Sequence, residues 1–153
     1  MLEYPARFVS LFAAGIMTGL SLCVFFAERV WAGNGQFYTQ LMQLWIRALS
    51  VPAMVVGGLG LLAIGTDAAV LFKRGAGAAF WLAVIAAVFG VVAFALTRFG
   101  HFPINDQIAK WDPSDPPVNW TSVQARWSAL HVGRTFCSVI SFALLLSSNL
   151  LRR

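Results

Sequence analysis

Four long apolar stretches constrain the fold of this 153-residue chain more than any other feature. They predict helices at about residues 7–27, 37–64, 78–97 and 122–151. Each is long enough to cross a bilayer, which takes about 20 apolar residues. The composition agrees, because only 11% of the residues are charged and 59% are hydrophobic, whereas soluble domains carry about 25% charged residues. We therefore predict an integral, multi-pass membrane protein with a single all-α domain, residues 1–153, folded as a four-transmembrane-helix bundle.

The polar segments between these stretches predict the remaining elements. The longest segment, residues 98–121, lies between the third and fourth helices. Within it Ile104, Ile108 and Trp111 recur at helical spacing, which predicts a short amphipathic helix at the membrane interface. Asp67 falls in the predicted loop after the second helix, so no carboxylate is expected inside any of the four helices.

The distribution of basic residues bears on orientation. Four spans place both termini on one side of the membrane. The predicted terminal side carries Arg7, Lys73, Arg74, Arg152 and Arg153, and the other carries Arg29, Arg47, Arg98, Lys110 and Arg126. If Arg47 and Arg126 are kept for function rather than for topology, the terminal side carries more of the remaining basic residues. Such an excess favours cytoplasmic termini. Together with an Ala- and Gly-rich composition, this favours a bacterial inner membrane protein.

The net charge of +5 does not indicate nucleic-acid binding. The basic residues lie at the ends of the apolar stretches, where contact with the headgroups of the lipid bilayer is expected. We therefore expect a lipid bilayer and a hydrophobic small molecule as partners, with no nucleic acid.

Polar residues on two of the helices indicate a binding site. On the fourth helix Trp127, His131 and Arg134 follow an i, i+4, i+7 pattern and share one face, with Arg126 adjacent. Arg134 would lie about 18 Å along the helix from Ser122, a costly depth for a charge without a partner or a cavity. On the second helix Gln43 and Arg47 share a face in the same half of the bilayer. The pattern predicts a polar pocket in one leaflet.

Each of these residues also has a structural interpretation. A buried histidine such as His131 can be satisfied by a neighbouring backbone group, and Arg47 can extend to the headgroups. Trp111, Trp120 and Trp127 are typical of the aromatic belt at the membrane interface.

Several kinds of site are disfavoured by the residues present. A di-iron carboxylate bundle needs Glu or Asp from several helices, and a zinc site needs three or four ligands. The chain offers two histidines in different elements, so we expect no metal site. No Gly-rich nucleotide loop and no Ser-His-acid set is evident.

An ordered set of short motifs runs along most of the chain. It comprises Met42-Gln43, Arg47 and Pro52, then Pro103-Ile104-Asn105-Asp106 with Trp111, and finally Arg126-Trp127, His131 and Arg134-Thr135. This pattern resembles the anthrone oxygenase-like family of small four-helix membrane proteins. The resemblance implies a cofactor-free oxygenase that converts an anthrone, a tricyclic phenolic ketone, to the anthraquinone with O₂.

Our leading hypothesis is an oxygenase that acts with O₂ on a flat phenolic or quinol-like substrate. His131 would be the general base, and Arg134 and Arg126 would stabilise the developing negative charge. The expected substrate-binding residues are Gln43, Arg47, Asn105, Asp106, Trp111 and Trp127. The hypothesis requires no cofactor.

Two alternatives belong to other functional classes. The first is a non-catalytic membrane module that binds a lipid, a quinone or a partner subunit, including another copy of itself in a homo-oligomer. It is suggested by the pair Gly15 and Gly19 and by the cluster of Gly57, Gly58 and Gly60, which suit close helix contacts. The second is a haem or quinone redox subunit that uses His101 and His131.

Overall fold

The computed structural model describes residues 3–28 and 33–151, and helices are the regular elements of this part of the chain. The helices are α1 (Glu3–Ala27), α2 (Gly35–Lys73), α3 (Gly77–Ala95), α4 (Phe102–Ile108) and α5 (Trp120–Leu150), and a π-helical turn, Leu96–His101, joins α3 to α4. The predicted all-α bundle of four long helices is confirmed.

The outer surface of the bundle suits lipid rather than water. Four helical stretches are long and apolar enough to cross a membrane, namely Tyr4–Ala27, Gly35–Lys73, Gly77–Ile108 and Trp120–Leu150. Large apolar side chains on all four are exposed, among them Phe12, Val55, Leu62, Trp81, Val88 and Phe136. Exposed apolar patches on this scale mark a membrane-facing surface. The chain is a multi-pass membrane protein.

The four long helices contact one another around a ring in the order α1, α2, α3, α5 and back to α1. Short connections join successive helices, which makes neighbours antiparallel. The start of α1 and the end of α5 therefore lie on the same side of the bundle. Which side of the membrane that is stays a prediction, and three arginines counted for it, Arg29, Arg152 and Arg153, lie outside the described residues.

Helix α2 is longer than the prediction of 37–64, because it continues to Lys73. Asp67, expected in a loop, is a fully buried residue of this helix, so the expectation of helix interiors without a carboxylate was wrong. The helix ends where Gly75 adopts a positive φ of 67°. There the amide of Gly75 donates to the carbonyl of Phe72, and that of Ala76 to the carbonyl of Leu71, the hydrogen-bond pattern of a Schellman motif.

Helix α3 also departs from its prediction, since helical structure continues from Gly77 through the π-helical turn and α4 to Ile108. Pro103 cannot donate a backbone hydrogen bond and would crowd the carbonyl four residues earlier in an α-helix. The π-helical turn before it is a known way to absorb such a disruption. A helix therefore does cover Ile104 and Ile108, but both side chains are buried in the bundle. Its interfacial position is not confirmed.

Small residues let α3 and α5 pack closely. Ala79, Ala83 and Ala86 are buried at helical spacing on α3. From α5, the hydroxyl of Ser148 donates to the carbonyl of Ala79 and that of Ser141 to the carbonyl of Ala86, both at 2.8 Å. Because lipid provides no hydrophobic drive between helices, close packing and interhelical hydrogen bonds of this kind hold membrane bundles together.

Candidate functional site

The polar stripe predicted on the fourth helix lies inside the bundle. The indole ring of Trp127 and the imidazole ring of His131 stack with centroids 5.0 Å apart and planes 18° apart. His131 is fully buried, and its Nδ1 lies 2.7 Å from Nη2 of Arg134. The helical spacing of these three residues on α5 therefore does place them in direct contact.

The partners of His131 determine where its proton lies. A guanidinium group can only donate, so Nδ1 accepts the hydrogen bond from Arg134. The other nitrogen, Nε2, then carries the proton and donates to the carbonyl oxygen of Ser21 on α1, 3.0 Å away. The hydroxyl of Thr135 lies 3.4 Å from the same nitrogen. His131 is thus a neutral imidazole with both ring nitrogens engaged.

A second histidine, His101, lies beside the first. Its ring meets that of Trp127 edge to face at 5.0 Å and lies 6.1 Å from that of His131. Nδ1 donates to the carbonyl oxygen of Leu96 at 3.1 Å, because a carbonyl can only accept. The remaining nitrogen, Nε2, is buried and has no hydrogen-bond partner among the residues that the structure describes.

The sequence interpretation did not include His101 in its leading site, because it placed this residue in a loop. The signal was present, since Thr97, His101 and Asn105 recur every four residues and share one helical face if the third helix continues. Pro103 concealed that continuation. The π-helical turn keeps the third helix continuous and packs tightly on α5. A side chain at Gly100 would come within 3.1 Å of Leu130 on α5.

Asn105 is a further polar group that the third helical stretch brings to α5. Its Oδ1 accepts a hydrogen bond of 2.9 Å from the indole Nε1 of Trp127. This bond satisfies the one donor of a side chain that is 6% exposed, and it sets the orientation of the indole ring between the two histidines.

Two cavities of about 70 Å³ each adjoin this cluster. The first, here the histidine cavity, is lined by His101, Asn105, Trp127 and Arg134 together with apolar residues that include Met42 and Trp45. The second, here the apolar cavity, lies between α1, α2, α3 and α5 and is lined by residues that include Met17, Gly57, Gly90 and Phe94. Ala53, Thr97 and Arg134 line both cavities. The Arg134 side chain therefore lies where the two meet.

A carboxylate outside the spanning segments acts on the same arginine. Oε1 of Glu28 accepts a hydrogen bond of 3.1 Å from the hydroxyl of Ser128. Burial raises the pKa of Glu28 above its usual value, and the bond from Ser128 and the charge of Arg134 offset only part of that rise. Glu28 is a further charged group near the cluster that the sequence interpretation did not single out.

The structure places the other expected site residues elsewhere. Arg47, Asp106 and Arg126 are exposed and line neither cavity. Nε2 of Gln43 donates to the carbonyl oxygens of Ile108 and Trp111, at 3.1 and 2.9 Å. Gln43 thus fixes the end of α4 and the segment after it. Trp111 is partly buried against the core formed by residues such as Met42 and Ile108.

The arrangement combines a cation, an unpartnered imidazole nitrogen, an amide and an indole at one cavity inside the membrane. Within residues 3–28 and 33–151, no three His, Cys, Asp or Glu side chains lie close enough to share a metal ion. The cluster can bind an anionic or phenolic group through Arg134, since such contacts are strong where water is excluded. It can also move a proton through an imidazole.

Comparison with known proteins assigns the chain to a family. No match was found among curated proteins or among solved structures. The sequence model of one family, described as anthrone oxygenase, matches residues 42–144. That match covers more than half of the chain and includes both histidines, Asn105, Trp127 and Arg134. The chain therefore belongs to the anthrone oxygenase family.

Proposed function

We propose that the protein is a cofactor-free membrane oxygenase that uses O₂ to oxidise an anthrone-like phenolic substrate. The observation that carries the proposal is the position of Arg134. Its Nη2 lies 2.7 Å from Nδ1 of the neutral His131, and its side chain lines the histidine cavity. Family membership supports the class of reaction, and the cavity supplies a place for it.

The histidine cavity is open on one side, and its lining suits the edge of a flat, largely apolar molecule that enters from the bilayer. Met42, Trp45 and Ile46 provide apolar and aromatic surface. Asn105 and Arg134 provide the few polar groups that orient a ligand in such pockets. In this proposal the apolar cavity, on the other side of Arg134, holds O₂, because apolar cavities in proteins take up small apolar molecules.

The reaction needs no external electrons, which explains why a cofactor is not required. A base removes a proton from the ring methylene of the substrate, and the electron pair delocalises onto the ring and its oxygens. This anion reduces O₂, and a C–O bond forms to give a hydroperoxide. Loss of the second methylene proton with cleavage of the O–O bond gives the ketone and water. One oxygen atom enters the product, and the two C–H bonds supply all four electrons.

In this proposal Arg134 binds the substrate anion. Negative charge grows on the substrate oxygens and then on O₂ as the reaction proceeds. A fixed guanidinium stabilises that charge more strongly in a water-poor site than it would in water. His131 holds the guanidinium in place, and this role replaces the one expected from the sequence.

The haem alternative finds no support in the geometry of His131. Its Nε2 donates to the carbonyl of Ser21 and its Nδ1 accepts from Arg134. Coordination of iron would require one of these hydrogen bonds to break.

The bundle itself uses some of the glycines behind the alternative of a non-catalytic module, whereas a side chain at Gly19 or Gly58 would meet open space. A side chain at Gly60 would come within 2.9 Å of Ala13, and one at Gly15 within 3.5 Å of Phe142. These glycines allow close contacts between helices of the same chain. A homo-oligomer, a bacterial inner membrane location and cytoplasmic termini stay predictions.

The first prediction tests the oxygenase through its arginine. We would measure O₂ consumption by the detergent-purified protein with an anthrone, for the wild type and for Arg134→Gln. Loss of one charge-stabilising group typically lowers kcat by a factor of about 100 or more, and we expect that loss here. The matched control is Arg126→Gln, since Arg126 lies on the same helix but is exposed. It should stay within about twofold of the wild type.

Two results would contradict the proposal. Consumption by the wild type no faster than the spontaneous oxidation of the anthrone would favour the binding module. Equal activity of the Arg134→Gln and wild-type proteins, both folded by circular dichroism, would remove the arginine from the mechanism.

A further inference from the structure

The proposed oxygenase needs a proton acceptor that can reach its substrate, and the residue expected from the sequence does not offer one. The lone pair of His131 Nδ1 already accepts a hydrogen bond from Arg134, and its Nε2 donates to the carbonyl of Ser21. To take a proton, His131 would have to release the guanidinium that binds the anion.

His101 offers the lone pair that His131 lacks. Its Nδ1–H is bound to the carbonyl of Leu96, so the lone pair is on Nε2. This nitrogen is buried, the residue is 1% exposed, and Nε2 has no hydrogen-bond partner in the described part of the chain. An unsatisfied buried polar atom is rare and calls for an explanation. A ligand group in the histidine cavity, which His101 lines, provides one.

We propose that Nε2 of His101 is the general base that removes the methylene proton of the substrate. The inference rests on the proposed oxygenase function and names the residue that starts the reaction. The C–H bond of the methylene breaks and an N–H bond forms on Nε2, while the electron pair stays on the substrate. When the hydroperoxide forms, the same N–H returns the proton to its outer oxygen, so the imidazole ends the step neutral.

The local structure supports this role. The hydrogen bond from Nδ1 to the π-helical turn keeps the ring in one tautomer, and Trp127 packs against its edge. Arg134 lines the same cavity, so the acceptor and the cation face one bound molecule. His131 then acts as a positioning residue, since it touches Arg134 and Trp127 rather than the reacting carbon.

The test separates proton removal from the reaction with O₂. Under strictly anaerobic conditions in D₂O, the base exchanges the methylene protons of an anthrone for deuterium, and NMR follows the loss of the methylene signal. The variant is His101→Asn, whose amide keeps a donor for the carbonyl of Leu96 but has no basic nitrogen. We expect the protein-catalysed exchange to fall by about 100-fold or more, the usual effect of losing a general base.

The matched control is Asp106→Asn, which changes an exposed side chain that lines neither cavity and leaves His101 in place. We expect its exchange rate at saturating substrate to stay within about threefold of the wild type. Exchange kept in folded His101→Asn would overturn the inference. An equal loss of exchange in folded Asp106→Asn would also overturn it, because the loss would then not be specific to the base.

A second variant covers the case in which His101→Asn does not fold. His101→Gln fills more of the space of the ring, and it should lose exchange to the same extent if Nε2 is the base. Failure of this inference can be told apart from failure of the proposed oxygenase function, because the oxygenase class is tested by O₂ consumption of the wild-type protein alone. Wild-type O₂ consumption with full exchange in folded His101→Gln would overturn the assignment of the base and leave the oxygenase standing.

Discussion

At the scale of single residues, the cluster is organised by a few hydrogen bonds whose donors and acceptors can each be assigned. Helical periodicity alone predicted that Trp127, His131 and Arg134 share a face, and they are in contact. Periodicity could not show that Arg126, the residue before Trp127, is exposed at the surface. It also could not show which nitrogen of each histidine makes a hydrogen bond. The partners are the backbone carbonyls of Ser21 and Leu96, and a backbone carbonyl carries no sequence signal.

The first prediction at this scale concerns Asn105. Asn105→Leu removes the acceptor for the indole N–H of Trp127 and leaves a buried donor unsatisfied. Such a change costs about 1–3 kcal/mol of the free energy of unfolding. Thermal unfolding in detergent, followed by circular dichroism, should show a lower Tm for this variant.

The neighbouring residue provides the matched control for Asn105. Asp106 is exposed, so Asp106→Asn should change the free energy of unfolding by less than about 0.5 kcal/mol. If Asn105→Leu unfolds at the same temperature as the wild type, the bond to Trp127 does not contribute to stability.

At the scale of the helices, the main departures from the sequence prediction are two helices that run on beyond their expected ends. Asp67 suggested a loop, but α2 buries it and ends six residues later at Lys73, just before the turn at Gly75. The basic pair Lys73-Arg74 followed by glycine is a sequence signal for such an end. The prediction ended the third helix at residue 97 and placed a separate interfacial helix at Ile104, Ile108 and Trp111, whereas the π-helical turn before Pro103 joins the two. That turn is a property of the whole helix and its packing.

A prediction at this scale tests the end of α2. Gly75 has a φ of 67°, which strains any residue with a Cβ, so Gly75→Ala should lower the free energy of unfolding by about 1 kcal/mol. Gly77→Ala is the matched control, because Gly77 begins α3 with open space around it. Chemical or thermal unfolding of both variants checks this. Equal stability of the two would show that the turn relaxes to a negative φ.

At the scale of the whole molecule, the site exists only because α1, α2, α5 and the third helical stretch meet at one end of the bundle. The histidine cavity takes residues from each of them. Glu28 belongs to this level too, since it directly follows α1 and accepts a hydrogen bond from Ser128 of α5. Such contacts join segments about 100 residues apart in the chain.

The prediction at this level is a pH dependence of stability through Glu28. Burial raises the pKa of Glu28 above 4.5 in the folded protein. Well below pH 4.5 the carboxyl is protonated in both the folded and the unfolded state. The contribution of Glu28 to the stability of the folded protein is then fully present. As the pH rises through the folded pKa, the buried carboxylate ionises and stability is lost. Glu28→Gln mimics the protonated form, so it should raise Tm at about pH 8 and lose this advantage near pH 4.

Asp112 supplies a control of opposite sign for Glu28. Hydrogen bonds from Ser114 lower the pKa of this exposed carboxylate, so its ionised form favours folding above its usual pKa. Asp112→Asn should therefore give no gain in Tm at neutral pH and a small loss at most. A lower Tm for Glu28→Gln than for the wild type at about pH 8 would show that the charge of Glu28 stabilises the bundle.

The sequence by itself determined the class of the protein, the number of spanning helices and the shared face on α5. These follow from composition and from the 3.6-residue period of a helix, which are local properties of the chain. Only the tertiary structure decided that α2 buries Asp67, that Gln43 holds the α4 segment, and that His101 faces the same cavity as Arg134. Those features depend on which backbone carbonyls and side chains of distant helices come within hydrogen-bond distance, and no local pattern encodes such distances.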